Sequence, residues 1–383
     1  MSTTWWKDPG ELIPEQADLL DLPEDQSLLI KGPPGSGKTN LMLLRANQLY
    51  IGDRPNLHVV VFGSLLKQFI QIGGSQYKFP PEKIVTHARL FMQILGENNA
   101  SVDTEGMTLT AAREARALAV QQLVKHGKVG KLYQALFLDE AQDYTPLEIE
   151  VFSTLTEVLV ATADTRQQIF KIANCVPLLE SLASTVYPLK YHFRNSKLIC
   201  KLADGICAGD PSYAPMAGSS QYDDAAYPST ITPRCGLELV QQADSMAKQI
   251  HGQLIAYPNE LIGVLCPRNK DLDVIETELI KAGLAAHLTR ANGDNFEPSR
   301  SIWLSTITAA KGLEFRTVHI AGLESLSHMG NVQKRLIYTG VTRAKTALTL
   351  YWNESIPGYL DAAIKALQPS SKVVTKKNIF GKV

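Results

Sequence analysis

The chain has 383 residues, of which 45% are hydrophobic and 20% charged, and these are the proportions of a folded globular protein. Lysine plus arginine and aspartate plus glutamate both total 38, so no global positive field favours nucleic acid and any such contact must be local. The length is too great for one compact core and suits two domains with little left for accessories.

The cysteines and the N-terminal segment bear on the compartment of the protein. The five cysteines form no CxxC pair and have no histidines at zinc spacing, which is typical of reduced thiols and predicts no metal beyond magnesium. The start, MSTTWWKDPGEL, lacks a basic region followed by an apolar one, and no apolar run approaches the length of a membrane span. We therefore expect a cytoplasmic protein that makes no use of a membrane.

Strand and helix patterns alternate along the chain. Short apolar runs predict strands at 28–31, 58–61, 135–138 and 158–161, with helical patterns between them. A second series of strands is predicted at 237–240, 261–266, 301–306, 318–320 and 347–351, with amphipathic helices at 245–254, 271–282 and 332–344. This alternation favours two α/β domains, each with a mostly parallel sheet flanked by helices. We place them at 1–187 and 188–368, followed by a basic tail at 369–383 that we expect to be flexible.

Two stretches fit neither series. Residues 65–130 are mostly helical in pattern, and we interpret them as a small insertion in the first domain. Residues 208–234 are rich in glycine, proline, serine and aspartate, which predicts a long irregular connection.

The run LLIKGPPGSGKT at 28–39 reads as a strand that enters GxxxxGKT and then a helix, which is the context that a phosphate-binding loop needs. Backbone amides between Gly35 and Thr39 can surround a β-phosphate, Lys38 can neutralise β and γ oxygens, and Thr39 can ligate magnesium. The residues predicted to contact the nucleotide from this loop are Gly32, Pro33, Pro34, Gly35, Ser36, Gly37, Lys38, Thr39 and Asn40. The loop thus predicts ATP and Mg2+ as ligands.

The run ALFLDEAQD at 135–143 is an apolar strand that ends in two adjacent acids. Asp139 is placed to hold magnesium through its water shell, and Glu140 to orient and deprotonate the attacking water. The alternative is a strand end with two solvated acids, which the phosphate-binding loop makes the weaker interpretation.

Taken together, GPPGSGKT and DEAQD resemble the nucleotide motifs of UvrD/Rep-type superfamily 1 helicases, which implies two RecA-like domains that share one ATP site. Gln16, in IPEQ, resembles the residue that reads adenine in that family. Gln167, in ADTRQQIF, resembles the sensor of the γ-phosphate, which couples the site to DNA. In YHFRNS, Phe193 resembles the aromatic that stacks on adenine and Arg194 the arginine that reaches the γ-phosphate, although Phe193 could also be a core residue.

The second half continues the resemblance. STITAAKGLEF at 305–315 is similar to the family string TxHxxKGLEF, and it implies that Gly312 and Glu314 lie beside the phosphates and the ribose. YTGVTRA at 338–344 is similar to the last family motif, which makes Arg343 the candidate arginine finger. Such a guanidinium reaches the transition state only when the two domains close.

The same resemblance implies local contacts with single-stranded DNA. The residues it points to are Phe62, Ser64, Phe170 and Thr306. Phe62 could equally be a core residue. The chain departs from the family at Ile172, where a base-stacking tryptophan is common, at Thr308, where histidine is common, and at Asn40, where arginine is common. The large family insertion in the second half is also missing, so the resemblance implies a compact form in which duplex unwinding is the least supported activity.

Two functions follow as hypotheses. The first is an ATP-hydrolysing motor that nucleic acid stimulates and that moves on single-stranded DNA, of the 3'-5' type by resemblance. The alternative is an ATP-gated switch subunit that regulates a partner, for example a nuclease in a DNA repair or phage-defence complex, without unwinding. A small-molecule kinase is a poorer third, because it explains neither Arg194 nor Arg343.

Overall fold

Two six-stranded sheets, in which every strand pair is parallel, organise the chain. The computed structural model describes residues 9–73, 77–168, 172–211, 213–291 and 296–367. Helices flank both sheets, so the predicted fold class of two RecA-like α/β domains is confirmed. In the described parts of the chain, no helix combines the length and hydrophobicity that crossing a membrane would require.

The first sheet has the strand order β3-β2-β4-β5-β1-β6. Its strands are β1 (Leu28–Lys31), β2 (Leu57–Val61), β3 (Ile84–Thr86), β4 (Tyr133–Leu138), β5 (Thr156–Ala163) and β6 (Thr185–Pro188). The helices of this half are α1 (Pro14–Leu20), α2 (Lys38–Ile51), α3 (Ser64–Gly73), α4 (His87–Glu97), α5 (Leu109–Lys125), α6 (Pro146–Leu155) and α7 (Val176–Leu182).

The second sheet has the strand order β7-β12-β11-β8-β10-β9. Its strands are β7 (Thr230–Arg234), β8 (Ile262–Cys266), β9 (Leu288–Arg290), β10 (Ile302–Thr306), β11 (Phe315–Ile320) and β12 (Ala344–Tyr351). The helices of this half are α8 (Lys197–Ile206), α9 (Leu239–Ala256), α10 (Asn269–Leu279), α11 (Gln333–Val341) and α12 (Gly358–Leu367).

The central strands are mostly buried, as expected for parallel sheets that are covered on both faces. Every residue of β8 and of β11 is buried. Local signals set where the helices begin: Thr145 and Glu148 form a reciprocal cap at the start of α6, with Pro146 as its first residue. Sequence periodicity therefore located the central strands well.

The prediction of a strand at 237–240 is wrong. α9 begins at Leu239, where Glu238 caps it and the Gln241 side chain accepts a hydrogen bond from the Glu238 backbone. Leu237 and Leu239 alternate like a strand because both are partly buried against the core. The strand of this region, β7, lies instead within the stretch predicted to be irregular, since it is a half-exposed edge strand that pairs with β12.

Short edge strands were also not predicted from the sequence. β3 lies within the stretch 65–130 and pairs with β2, and β9 pairs with β10. Each has only three residues, too few for a period to be recognised. The predicted domain division at 187 falls inside β6 and stays a prediction, and the predicted tail at 369–383 lies outside the described residues.

Candidate active site

A cleft lies between the two sheets, with a cavity volume of about 220 Å³. The first sheet supplies residues that follow the carboxyl ends of its strands, where ligands bind in open parallel sheets. The lining residues are Gln16, Pro34, Gly35, Gly37, Lys38, Thr39, Asn40, Phe69, Glu140, Gln167, Phe193, Arg194, Gly312, Glu314, Arg343 and Lys345. The cavity therefore brings together motifs that lie as far apart in the chain as those of Gln16 and Arg343. Phe69 and Lys345 are the two members that the motifs did not predict.

The loop between β1 and α2 has the conformation that a phosphate-binding loop requires. Gly35 and Gly37 have φ of 75° and 88°, a left-handed conformation that favours glycine. A side chain at Gly35 would also collide with Arg194. The Lys38 ammonium donates to the carbonyl oxygens of Gly32 at 2.9 Å and Pro33 at 3.0 Å. Two backbone carbonyl groups of the loop therefore hold the side chain of its own lysine.

Asp139 is held at the carboxyl end of β4 by hydroxyl groups. Thr39 donates to its carboxylate at 3.1 Å and Thr162 at 2.6 Å. Burial and the neighbouring Glu140 charge raise the pKa of Asp139 to about 6. A hydroxyl and a carboxylate side by side are oxygen ligands that magnesium prefers, so Thr39 and Asp139 fit the ion that the sequence implies.

Glu140 lines the cavity with a backbone φ of 49°, which is uncommon for a residue with a side chain and is often seen at functional sites. Gln142 donates to one of its carboxylate oxygens at 2.5 Å. The ammonium of Lys311, from the second domain, lies 3.9 Å from the same oxygen and 2.6 Å from Asp143. Burial alone would raise the pKa of Glu140, but Lys311 and Lys38 hold it below its usual value. The carboxylate is therefore ionised at neutral pH, as a general base must be.

Arg343 reaches the first domain from the end of α11. Its guanidinium donates to the Leu313 carbonyl at 2.9 Å, to the Thr339 carbonyl at 3.1 Å and to the side-chain oxygen of Gln167. Gln167 in turn donates to Asp164 at 3.0 Å. Burial, reinforced by Arg194, lowers the pKa of Arg343 to about 9, so the group stays charged at neutral pH.

Two cations lie at Glu314, one of the residues that line the cavity. Arg194 donates to one carboxylate oxygen of Glu314, and the Lys345 ammonium lies 3.9 Å from the other. Burial would raise the pKa of Glu314, whereas Arg194 and Lys345 keep it below its usual value. Close by, Gln16 donates to the Ser36 carbonyl at 3.1 Å, and the Phe193 amide donates to the Gly35 carbonyl at 3.0 Å. The predicted base-reading and phosphate-binding residues therefore converge on one loop.

Of the residues predicted to contact DNA, the three that the structure describes, Phe62, Ser64 and Thr306, do not line this cavity. Phe62 stacks on His87 with ring centroids 5.1 Å apart, and the Arg113 guanidinium lies 4.7 Å from its centroid. Ser64 is exposed at the start of α3, and the Thr306 hydroxyl accepts a hydrogen bond from the Ala309 amide at 3.2 Å. Phe170 lies outside the described residues. Their roles toward DNA stay predictions.

Residues 301–351 match the family model of the UvrD-like helicase C-terminal domain. This part of the chain is UvrD-like. It runs from β10 to the end of β12 and carries Thr306, Gly312, Glu314 and Arg343. The resemblance to UvrD/Rep-type superfamily 1 helicases, first drawn from the motifs, is thereby confirmed for the motifs of this segment. The UvrD-like segment thus supplies the half of the cleft that faces the phosphate-binding loop.

Two solved helicase structures are similar to the chain. The structure of PRRSV helicase aligns with a TM-score of 0.43 at 14% identity and covers 87% of this chain and 54% of that one. The C-terminal domain of a possible DNA helicase from Lactobacillus plantarum WCFS1 aligns with a TM-score of 0.35 at 16% identity and covers 46% of this chain and 96% of that one. The chain thus spans about half of the length of the PRRSV helicase. No curated protein matches the sequence.

Proposed function

We propose that the UvrD-like chain is an ATP-hydrolysing motor that nucleic acid stimulates and that moves on single-stranded DNA. The observation that carries the proposal is the contact of Arg343 with Gln167 across a cleft that also holds Lys38 and Glu140. In a site assembled from both domains, hydrolysis and relative domain movement depend on each other. Movement in the 3'-5' direction belongs to the same proposal by family resemblance, and strand separation is proposed only as an outcome that depends on a partner.

Each part of the site has a separate chemical task in this proposal. Gln16 and Phe193 bind the base, and Lys38 with the loop amides binds the phosphates. Thr39 and Asp139 would hold magnesium, which when bound neutralises phosphate charge. Glu140, ionised and directed into the cavity, orients the attacking water and accepts its proton.

The charge that develops on the γ-phosphate is met by two arginines. Arg194 comes from the segment after β6, and Arg343 from the UvrD-like segment 301–351. A finger of this kind is typically worth about 10³ to 10⁵ in rate. Gln167 is in contact with Arg343 and, through Asp164, with the end of β5, which suits it to report the state of the phosphate.

One observation favours the alternative of an ATP-gated switch that acts on a partner such as a nuclease in repair or phage defence. Phe62, the aromatic expected to stack on a base, is already stacked on His87 and lies against Arg113. In such a switch the two domains would close when ATP binds, without movement along a DNA strand.

Steady-state ATP hydrolysis with single-stranded DNA, duplex DNA, RNA or no nucleic acid distinguishes these functions. We expect stimulation by single-stranded DNA and loss of all turnover in Lys38→Ala, the control for a contaminating ATPase. Turnover that no nucleic acid changes would favour the switch. Absence of ATP binding by the wild-type chain would overturn both functions. Displacement of streptavidin from either end of biotinylated single strands then tests the direction of movement.

A further inference from the structure

Phe69 is a lining residue of the cavity that no motif accounts for. It lies on α3 in the first domain and is 9% exposed. Most of the lining is polar or charged, and among the described residues the aromatic side chains that line the cavity are those of Phe69 and Phe193. The base is the part of ATP that gains from an aromatic surface, whereas the phosphates require amides and cations. An aromatic side chain at this position therefore points to the base end of the ligand.

A second residue of the cavity lining, Asn40 of α2, is held by a hydrogen bond. Asn40, in the first turn of α2 beside the cavity, accepts a hydrogen bond from the Tyr77 hydroxyl at 3.1 Å. Tyr77 is thus tied to the helix that follows the phosphate-binding loop. A base that enters between α2 and α3 would meet an amide at Asn40 and an aromatic ring at Phe69.

The same ring is also part of the contact between the domains. Phe69 packs edge-on against Trp303 of β10, with ring centroids 6.3 Å apart. One helical turn earlier, Leu66 lies so close to Gly312 that a side chain added at Gly312 would come within 2.7 Å of it. α3 therefore carries two residues, three positions apart, that contact the UvrD-like half of the cleft.

We propose that Phe69 is a second aromatic contact for the nucleobase, beside Phe193, and that its packing on Trp303 links base occupancy to the contact between α3 and the second domain. The inference rests on the proposed function, because it concerns the same ATP site. Phe69 would act as a binding and positioning residue, and the phosphate chemistry would stay with the loop and the arginines.

Equilibrium binding of ATP and of inorganic tripolyphosphate, both with magnesium, tests this inference. In Phe69→Ala we expect affinity for ATP to fall about tenfold, the usual order for one aromatic contact to a base, and affinity for tripolyphosphate to stay unchanged. Phe69→Leu keeps an apolar side chain without the ring, and we expect the same selective loss, smaller in size. Phe152→Leu, a fully buried phenylalanine of α6 outside the cavity, is the matched control.

A second measurement uses the wild-type Phe69. The chain has four tryptophans, so Trp5→Phe, Trp6→Phe and Trp352→Phe leave Trp303 as the single reporter. We expect ATP to change Trp303 emission and tripolyphosphate to leave it unchanged. Three results would each overturn the inference: equal affinity for ATP in wild type and Phe69→Ala, an equal loss of affinity for ATP and tripolyphosphate, or no response of Trp303 to ATP. None of them would contradict the proposed ATPase function. A wild-type chain that binds no ATP would instead remove the proposed function, and this inference with it.

Discussion

The guanidinium of Arg343 in the second domain donates a hydrogen bond to the side-chain oxygen of Gln167 in the first. Both side chains are buried, so the charge of Arg343 is removed from water and held by oxygen acceptors. The side-chain amide of Gln167 in turn donates a hydrogen bond to the Asp164 carboxylate at 3.0 Å. The arginine therefore reaches the nucleotide cleft only while the two domains are close together.

Replacing Arg343 with alanine should spare ATP binding and cripple hydrolysis. We expect turnover to fall about 10³-fold or more, because the missing guanidinium stabilises charge in the transition state. The measurement is a pair of titrations, one of ATP binding and one of steady-state turnover. Arg335→Ala is the control, since Arg335 also crosses between domains, to the Gln168 carbonyl at 3.2 Å, but is exposed and outside the cavity. Normal hydrolysis in Arg343→Ala would mean that the two-domain site is wrong.

Glu140→Gln should produce a chain that retains ATP without hydrolysing it. The amide keeps the shape of the side chain but cannot accept a proton, and loss of a general base typically costs about 10² to 10⁴ in rate. Rapid filtration with labelled ATP would detect the trapped nucleotide. Glu150→Gln, an exposed glutamate on α6, provides the comparison. Turnover within a few-fold of wild type would assign the base to another residue.

Lys311→Met should shift the acid side of the pH-rate profile to higher pH. Lys311 lies 3.9 Å from Glu140 and helps to keep the pKa of that carboxyl below its usual value. Without the ammonium, the pKa of Glu140 rises and the base is lost earlier as pH falls, so turnover at pH 6 drops more than turnover at pH 8. Lys281→Met, an exposed lysine after α10, is the matched variant. An unshifted profile with a uniformly lower rate would give Lys311 a purely structural role.

Stability should fall in acid because of a buried histidine of the second sheet. His319 is fully buried and contacts Tyr351 and Gln253, and burial lowers its pKa to about 3. The folded protein keeps it neutral, whereas the unfolded chain takes up a proton below a pH of about 6.5. Stability is therefore lost as pH falls from there toward the folded-state pKa, by about 2 kcal/mol at pH 5 from this residue.

Urea unfolding at pH 7.5 and pH 5 measures this contribution. His319→Asn should lose about 2 kcal/mol less than wild type between the two pH values. The exposed His126→Asn should behave as wild type does. If wild type and His319→Asn lost the same free energy of unfolding, the buried histidine would have no part in the acid sensitivity.

Local pattern was enough to predict the fold class and the ends of the central strands. The phosphate-binding loop, DEAQD and VTRA are short strings whose residues are close in sequence, so their chemistry can be recognised one motif at a time. Edge elements were harder, because β3, β7 and β9 are short or half-exposed and their burial depends on a single neighbouring strand. The wrong strand at 237–240 has the same origin, since alternation of partly buried leucines does not distinguish a strand end from a helix start.

The sequence by itself predicted which residues carry nucleotide chemistry, since each lies in a motif of a few consecutive residues. Tertiary structure alone decided how those motifs meet. It placed Arg343 on Gln167, Arg194 on Glu314, and Lys311 beside Glu140, pairs that lie far apart in the chain. It also brought Phe69 into the cavity, because the position of a ring on a helix depends on how that helix packs against both domains, and no local pattern contains that information.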